Sequence, residues 1–437
     1  MKHSRLKRLL ALVLAAALIC GMSLSSAYAV DAGSPSLDFQ ELDPSQVSAE
    51  LMNTQGDTAE MGGTEPYEAT DVVRVMIVLE QDSTLTTMEA SGEALTSQAA
   101  VQYRQSLDNA QEQMASRISR QCLAGETLDV VWNLTLATNA ISANVAYGKL
   151  EEIRQVPGVK AVYLETRYEP MTTADPSNVV AQQMTGAASV QQDAGYTGAG
   201  SRIAVVDTGT DTDHQSFDEG AFRYSLSQQA KEAGMTEEAY LEQLDLLDKE
   251  EIASVLDQLH VSATAEELYR STKLPFAFNY VDKSLDVTHD NDTQTEHGSH
   301  VAGIAAANAY IPNGDGTYAK ALDQVLVQGV APDAQIITMK VFGQRGGAFD
   351  SDYMVAIEDA VLLGCDAVNL SLGGGNPGTS HYSNGVYRRI MENLEQSGIV
   401  AAMSAGNAGA WPENAGSGGY LYDDGVSMQT NSMPGTY

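Results

Sequence analysis

The stretch Glu296–Gly303 reads Glu-His-Gly-Ser-His-Val-Ala-Gly and continues in small residues through Ala307. A helix built from such residues has nearly bare faces, so other backbone segments can approach it closely on every side. We therefore expect a helix buried in the middle of a domain. His297 would lie in its first turn, where the positive end of the helix dipole disfavours the imidazolium. A neutral imidazole there suits a general base, although a lone histidine can equally be a core residue with satisfied hydrogen bonds.

The N-terminus has the features of a secretory signal peptide. Basic residues within positions 2–8 precede the apolar run Leu9–Ile19, and Ala27-Tyr28-Ala29 fits the small-x-small cleavage rule. We expect residues 1–29 to be removed and the mature chain to be secreted, with no transmembrane segment, because no second long apolar run follows. The 58 acidic against 24 basic residues give a formal charge of −34, which argues against nucleic acid and anionic membranes as partners.

Two folded regions are expected after the signal peptide. Residues 30–70 are rich in Ser, Gly, Thr, Asp and Glu, which is typical of a flexible linker. Residues 71–168, the N-terminal module, follow the order β-α-β-β-α-β and predict a small α+β domain of ferredoxin-like topology. Its expected strands are Val72–Glu80, Val130–Leu136, Ser142–Val145 and Ala161–Leu164, and its helices are Leu95–Ile118 and Tyr147–Arg154.

Residues 169–437 alternate between apolar strands and helices. This alternation predicts an α/β domain with a doubly wound, mainly parallel sheet. Residues 169–200 are expected to be a linker into the first strand, and a helix-compatible acidic insert, the helical insert, occupies about residues 220–272 as a solvated surface feature. The expected strands are Ile203–Val206, Gln335–Phe342, Ala367–Leu372 and Ile399–Met403, with helices at Ser351–Leu363 and Tyr387–Glu395.

Three polar residues stand at strand ends or a helix start in this domain: Asp207, His297 and Asn407. Because the carboxyl ends of parallel strands share one edge of a sheet, we expect them to converge. The Asp can orient the imidazole, the His can accept a hydroxyl proton, and the Asn amide can donate to a developing oxyanion.

Simpler interpretations exist for each of these residues. Asp207 could be a strand-end cap and Asn407 a left-handed turn residue after Gly406. Asp207-Thr208-Gly209 also fits an aspartic protease, which would need a homodimer to supply the second carboxylate. His300 follows His297 by one turn, but without a zincin pattern we expect it to be a helix-packing residue.

The remaining chemistry-bearing residues predict no cofactor. Cys20 leaves with the signal peptide, and Cys122 and Cys365 alone cannot form a disulfide framework. Cys365 lies in an apolar context that favours a buried, inert thiol. The acidic loop Asp286–Asp292 could hold structural calcium, but its spacing matches no calcium-loop motif, so no metal site is predicted.

Together these motifs resemble the subtilisin family of serine endopeptidases (subtilases). Ala204–Gly209 resembles its Asp motif, except that Thr210 replaces the usual aliphatic residue, and His297–Ala306 matches its His motif throughout. Ser404–Asn407 resembles the oxyanion segment. The insert ending in Pro275–Tyr280 is similar to that of the large cell-envelope proteinases, which include lactocepin. The resemblance implies a subtilisin-like fold and endopeptidase activity on extended polypeptides.

The resemblance implies further roles. Ser371, Leu372 and Gly373 would bind substrate by pairing their backbone with an extended peptide. The N-terminal module is similar to the family's propeptide, most clearly at Leu150–Val162, and would inhibit the peptidase domain until it is cleaved off.

The nucleophile is absent from these motifs. The family's catalytic Ser lies in a Gly-Thr-Ser-Met-Ala type motif, and none occurs in the 437 residues. Ser432 precedes Pro434 and Gly435, which indicate a turn rather than a helix start. We expect the Ser, and any cell-wall anchor, to lie beyond Tyr437, and this chain alone to be inactive. The alternative is a pseudoprotease that binds peptides without cutting them.

Overall fold

The computed structural model describes residues 67–165, 167–170, 178–288, 296–374, 390, 394 and 397–404. These residues belong to a compact unit that begins at Tyr67. The predicted signal peptide (residues 1–29) and the predicted linker (residues 30–70), apart from its last four residues, lie outside the described residues, as does most of the predicted helix Tyr387–Glu395. In the part that is described, no helix is long and apolar enough to cross a bilayer.

The N-terminal module is a four-stranded antiparallel sheet with helices packed on one face. The strand order is β2-β3-β1-β4, which is the predicted ferredoxin-like arrangement. Alternate residues of the central strand, such as Val75 and Ile77, are fully buried against the helices. The strands are β1 (Val72–Leu79), β2 (Asp129–Leu134), β3 (Ala140–Ala146) and β4 (Val159–Leu164), and the helices are α1 (Thr84–Ser91), α2 (Gln98–Cys122) and α3 (Leu150–Arg154).

Helix α1 was not expected from the sequence. Its residues Thr84–Ser91 include three threonines, which have low helix propensity. The helix is fixed by its ends instead: the Ser83 hydroxyl accepts a hydrogen bond from the Thr86 amide, and Gly92 closes it in the left-handed conformation at φ 70°. Capping therefore decides this segment where composition does not.

The larger domain contains a five-stranded parallel sheet in the order β14-β12-β6-β10-β7. Helices cover both of its faces, which confirms the predicted doubly wound class. Val205 of β6 packs against helix α10, while its neighbours Ala204 and Val206 pack on the opposite side with residues of α12. The strands are β6 (Arg202–Asp207), β7 (Phe276–Asn279), β10 (Gln335–Lys340), β12 (Ala367–Leu370) and β14 (Val400–Met403), and the helices named are α10 (His297–Ala306) and α12 (Asp350–Leu362).

Shorter elements complete this domain. Two small antiparallel sheets are formed by β8 with β9 and by β11, β5 and β13. Their strands are β5 (Arg167–Pro170), β8 (Tyr310–Pro312), β9 (Tyr318–Lys320), β11 (Ala348–Phe349) and β13 (Leu372–Gly374), and the remaining helices are α4 (Asn178–Thr185), α5 (Ala187–Ala194), α6 (Glu219–Glu232), α7 (Glu237–Leu244), α8 (Lys249–Val255), α9 (Ala265–Leu268) and α11 (Ala321–Gln324).

The expected linker at residues 169–200 is structured in most of its described part. It contains the end of β5 and the two helices α4 and α5. Gln191 of α5 donates a hydrogen bond of 2.7 Å to the carbonyl oxygen of Val330, which ties α5 to the loop before β10. The polar composition of this segment therefore reflects exposed helices rather than a chain without secondary structure.

The helical insert contributes to the main core. Its helices α6–α9 fall within residues 219–268, close to the predicted range. Leu247, Ile252, Leu259 and Leu268 are at most 8% exposed and join the core of the parallel sheet. The expectation of a solvated surface feature was wrong for these residues, because an apolar residue about once per turn fastens an otherwise acidic segment.

We expect stability to depend on the interior strand β10. Ile337 is fully buried, so Ile337→Ala should lower the free energy of unfolding by about 2–5 kcal/mol through lost apolar contact and the resulting cavity. Met184, which is 82% exposed, provides the control. Met184→Ala should change the free energy of unfolding by less than about 0.5 kcal/mol. Urea unfolding followed by circular dichroism checks both values, and equal effects would contradict the assigned core.

Candidate active site

Asp207 and His297 meet at the carboxyl end of the parallel sheet. Asp207 is the last residue of β6 and is 1% exposed, and His297 is the first residue of α10. The Nδ1 atom of His297 lies 2.8 Å from Oδ1 of Asp207. The same carboxylate oxygen accepts a hydrogen bond of 2.7 Å from the Thr208 amide. With Nδ1 donating to the carboxylate, the neutral ring keeps its lone pair on Nε2, where a base needs it.

Two glycines make this contact sterically feasible. Gly209 has φ 112°, and a Cβ atom on it would lie 2.0 Å from the carbonyl oxygen of Val287. A Cβ atom on Gly298 would lie 2.0 Å from the carbonyl oxygen of Gly209. The turn after β6 therefore crosses directly over the first turn of α10, as the run of small residues predicts. The Gly298 amide donates to the Thr208 hydroxyl at 2.9 Å and fastens the crossing.

Lys340 is a buried neighbour of the Asp207–His297 pair that the sequence analysis did not identify. It is the last residue of β10, pairs in register with Asp207, and is 1% exposed. Its Nζ donates to the carbonyl oxygen of Thr208, so this buried side chain supports the same turn. The signal was available in the sequence, because Lys340 is the one charged residue in the strand Gln335–Phe342.

The pKa of His297 depends on burial of the ring and on its contact with Asp207. Burial disfavours the imidazolium, but the hydrogen bond and negative charge of Asp207 outweigh burial and raise the pKa of His297. The expected preference for the neutral form was therefore wrong in direction. Burial and the neighbouring His297 lower the pKa of His300, whose Nε2 is buried without a hydrogen-bond partner among the described residues.

The predicted substrate-binding residues lie beside this pair. Register along the sheet places Leu370 of β12 opposite Val206, so Ser371 follows at the level of Asp207. Leu372 and Gly373 belong to β13, which pairs antiparallel with β5 through Leu372 opposite Pro170 and Gly373 opposite Glu169. Strand β5 also pairs with β11 on its other side. The backbone of this edge thus already holds an extended peptide segment of the same chain.

Other predicted sites have different outcomes. Asn407 and Ser432 lie outside the described residues, so their roles stay predictions. Cys365 is 4% exposed, and burial raises the pKa of its thiol, which fits the expected inert residue. Among the residues that the structure describes, no group of three or more His, Cys, Asp or Glu side chains is placed to hold a metal ion.

Comparison with known proteins identifies relatives of this chain. Residues 198–437 match the family described as "Subtilase family" (Peptidase S8). The PI-type proteinase of Lactococcus lactis subsp. cremoris is 30% identical over 320 residues, which is 72% of this chain and 14% of the relative. The PII-type proteinase of Lacticaseibacillus paracasei has the same identity and coverage. The minor extracellular protease Vpr of Bacillus subtilis (strain 168) is 24% identical, over 68% of this chain and 30% of its own. The chain thus spans about one seventh of the length of the first two relatives.

Removing the charge of Asp207 should lower the pKa of His297. In the Asp207→Asn variant, burial of the ring persists but the carboxylate that stabilises the imidazolium is gone. We expect the pKa of His297, measured by NMR titration of its ring protons, to fall below that of the wild-type chain. Asp315→Asn, which changes an exposed acid, should leave it unaltered. An unchanged pKa in Asp207→Asn would contradict the assigned contact.

Adding a methyl group to Gly298 should disrupt the crossing. Gly298→Ala forces atoms apart that would be 2.0 Å from each other, so the loss of stability should reach the upper end of the roughly 1–3 kcal/mol that overpacking costs. Gly303 lies in the same helix with open space around its Cβ position. Gly303→Ala should stabilise the chain by about 0.4–1 kcal/mol. Thermal unfolding of both variants checks the contrast, and equal midpoints would contradict it.

Proposed function

Because the chain belongs to the subtilase family, we propose that it carries the Asp-His part of a subtilisin-type serine endopeptidase precursor. The observation that carries the proposal is the 2.8 Å contact between Asp207 and His297 at the carboxyl end of the sheet, within the matched region. The proposed substrates are extended polypeptides, and the relatives named as proteinases support proteins as the substrate class. The expected signal peptide and the extracellular relative support secretion.

In the proposed reaction, His297 removes a proton from the nucleophilic Ser. The Ser oxygen attacks the peptide carbonyl carbon, the C–N bond breaks, and His297 returns the proton to the leaving amine. Asp207 keeps the ring oriented and stabilises its cationic form, in agreement with the raised pKa of His297. Asn407 is proposed as the oxyanion donor, and the Ser is proposed to lie outside the 437 residues.

The substrate is proposed to bind where β5 now lies. A peptide strand between β11 and β13 satisfies the backbone groups of both strands, which is β-augmentation of an exposed edge. Strand β5, residues 167–170 of the chain itself, occupies this place. Its position supports the proposal that β5 blocks the access of other peptides. The N-terminal module, directly upstream, would then be the inhibitor domain.

Contacts of the module with helix α12 support this inhibitor role. The Glu358 carboxylate, fully buried, accepts hydrogen bonds from successive amides of the module loop 135–138, the shortest being 2.6 Å from Ala137. Asp352 accepts from the indole of Trp132 at 2.9 Å and pairs with Arg74 at 3.3 Å. Buried carboxylates need such partners, so the module and α12 complete each other.

A peptide-binding pseudoprotease is the second candidate. The observation that favours it is the pairing of β5 between β11 and β13, because this cleft holds an extended segment without any chemical step. Both candidates share the cleft at β11 and β13, so they differ only in whether a nucleophile joins Asp207 and His297.

Covalent labelling with a fluorophosphonate separates these candidates. We expect the 437-residue chain to remain unlabelled, and the protein read through its full coding sequence to be labelled on a Ser. His297→Ala should slow labelling of the full protein by at least about 10²–10⁴-fold, the usual contribution of a general base. His300→Gln, one turn further along α10, should retain labelling. A full protein that does not react would refute the endopeptidase and favour the pseudoprotease.

A further inference from the structure

The helical insert contacts the N-terminal module through the turn at residues 257–260. Arg104 of α2 donates a hydrogen bond of 2.9 Å to the carbonyl oxygen of Gln258. The ring of His260 contacts the carbonyl oxygen of Asn133, at the end of β2, at 2.8 Å. A cavity of about 380 Å³ opens between these segments, and His260 is 12% exposed, so protons can exchange with solvent.

Both ring nitrogens of His260 face hydrogen-bond acceptors. Nε2 lies 2.8 Å from the Asn133 carbonyl oxygen, and Nδ1 lies 2.8 Å from Oδ1 of Asp359 on α12. A neutral imidazole has one N–H and can satisfy only one of them, whereas the imidazolium has two. The geometry of this junction is therefore matched to a doubly protonated ring.

The charged groups around His260 favour the same state. Asp359 and Glu358 face it from α12, Glu358 at 3.7 Å, while Arg104 and Asp108 belong to α2 of the module, and Asp257 lies on the insert itself. Burial disfavours the imidazolium, but the two α12 carboxylates outweigh burial and the repulsion of Arg104, so the pKa of His260 is raised above 6.5.

A second proton-binding group lies at the other end of α12. Glu165 of the module accepts hydrogen bonds from the amide and hydroxyl of Ser351, at 3.0 and 2.7 Å. Burial and the neighbouring Asp350 raise the pKa of Glu165 to about 7. Two separate points of the module contact therefore hold protons more tightly than free side chains do.

We propose that the helical insert is a docking surface for the N-terminal module, joined by a doubly protonated His260, and that docking weakens as the pH rises. One consequence of this inference, release of the peptidase domain at higher pH, rests on the proposed inhibitor role of the module. The docking contact itself requires no protease activity.

The direction of the pH effect follows from linkage. A group whose pKa is raised in the docked state stabilises that state fully below its ordinary pKa and loses this contribution as the pH rises through the raised value. For Glu165 this window runs from 4.5 to about 7, and for His260 it begins at 6.5 and extends upward. Of these two groups, His260 should therefore account for most of the dependence above about pH 7.

Hydrogen exchange of the 437-residue chain tests the proposal. Protection of the amides in loop 135–138, corrected for the intrinsic exchange rate, should fall from about pH 7 to about pH 9, by at most about tenfold per pH unit for one released proton. His260→Gln has no titrating ring, so its protection should be nearly constant over this range. His214→Gln is the matched control, because His214 is exposed and its ring packs against Phe217 of the peptidase domain, and it should keep the wild-type dependence.

Two further measurements separate undocking from other events. Amides of β10 should stay protected throughout, because undocking leaves the parallel sheet intact. In a Trp411→Phe background Trp132 is the single tryptophan, and acrylamide quenching should rise with pH as its indole leaves Asp352. Parallel loss of protection in β10 would show general unfolding and overturn the proposal.

The wild-type chain alone can also decide the question if His260→Gln does not fold. NMR titration should then give His260 a pKa above 6.5 that is coupled to the loss of loop protection. A pKa at or below 6.5, or protection of loop 135–138 that is constant from about pH 7 to about pH 9, would overturn the inference. Fluorophosphonate labelling tests the proposed protease function independently of docking. Failure of the docking inference can therefore be distinguished from failure of the proposed protease function.

Discussion

The close crossing of two backbone segments, the turn after β6 and the first turn of α10, is the constraint on which the site depends. Gly209 and Gly298 are in direct contact there, and no side chain fits between them. Only this spacing brings the Asp207 carboxylate within 2.8 Å of the His297 ring. Two hydrogen bonds to Thr208 then hold the turn. The Gly298 amide donates to the Thr208 hydroxyl, and Lys340 Nζ donates to the Thr208 carbonyl oxygen. The charged pair is thus a result of backbone geometry, which the small residues permit.

Helix α12 connects this site to the rest of the molecule. Its apolar residues, including Met354 and Ile357, pack in the core of the parallel sheet, while its carboxylates face the module and the helical insert. The Glu358 carboxylate accepts hydrogen bonds from the module loop 135–138. The carboxylate of the next residue, Asp359, contacts the ring of His260 and accepts a hydrogen bond from the hydroxyl of Tyr280. Acids that are buried to this extent are stable only with complete sets of donors, so the helix is specific for the surfaces that supply them.

The sequence predicted the elements whose pattern repeats and missed those fixed by individual contacts. The strands of both sheets follow from apolar runs such as Ile203–Val206, and the convergence of Asp207 with His297 follows from their positions at strand and helix ends. Helix α1 and the helices within residues 178–194 were missed because caps and single hydrogen bonds determine them. The protonation preference of His297 was predicted wrongly, because the balance between burial of the ring and the Asp207 carboxylate depends on a 2.8 Å contact whose distance only packing fixes.

The amides of loop 135–138 that donate to Glu358 also fix the position of the module along helix α12. Four successive N–H groups, from Thr135 to Thr138, point at one carboxylate. A module displaced by a single residue along α12 would leave several of these donors buried without an acceptor, each at a cost of about 1–3 kcal/mol. Shape complementarity of an apolar surface would tolerate such sliding. The contact therefore allows a single register of the module on α12. The same contact fixes the alignment in which strand β5 lies in the cleft.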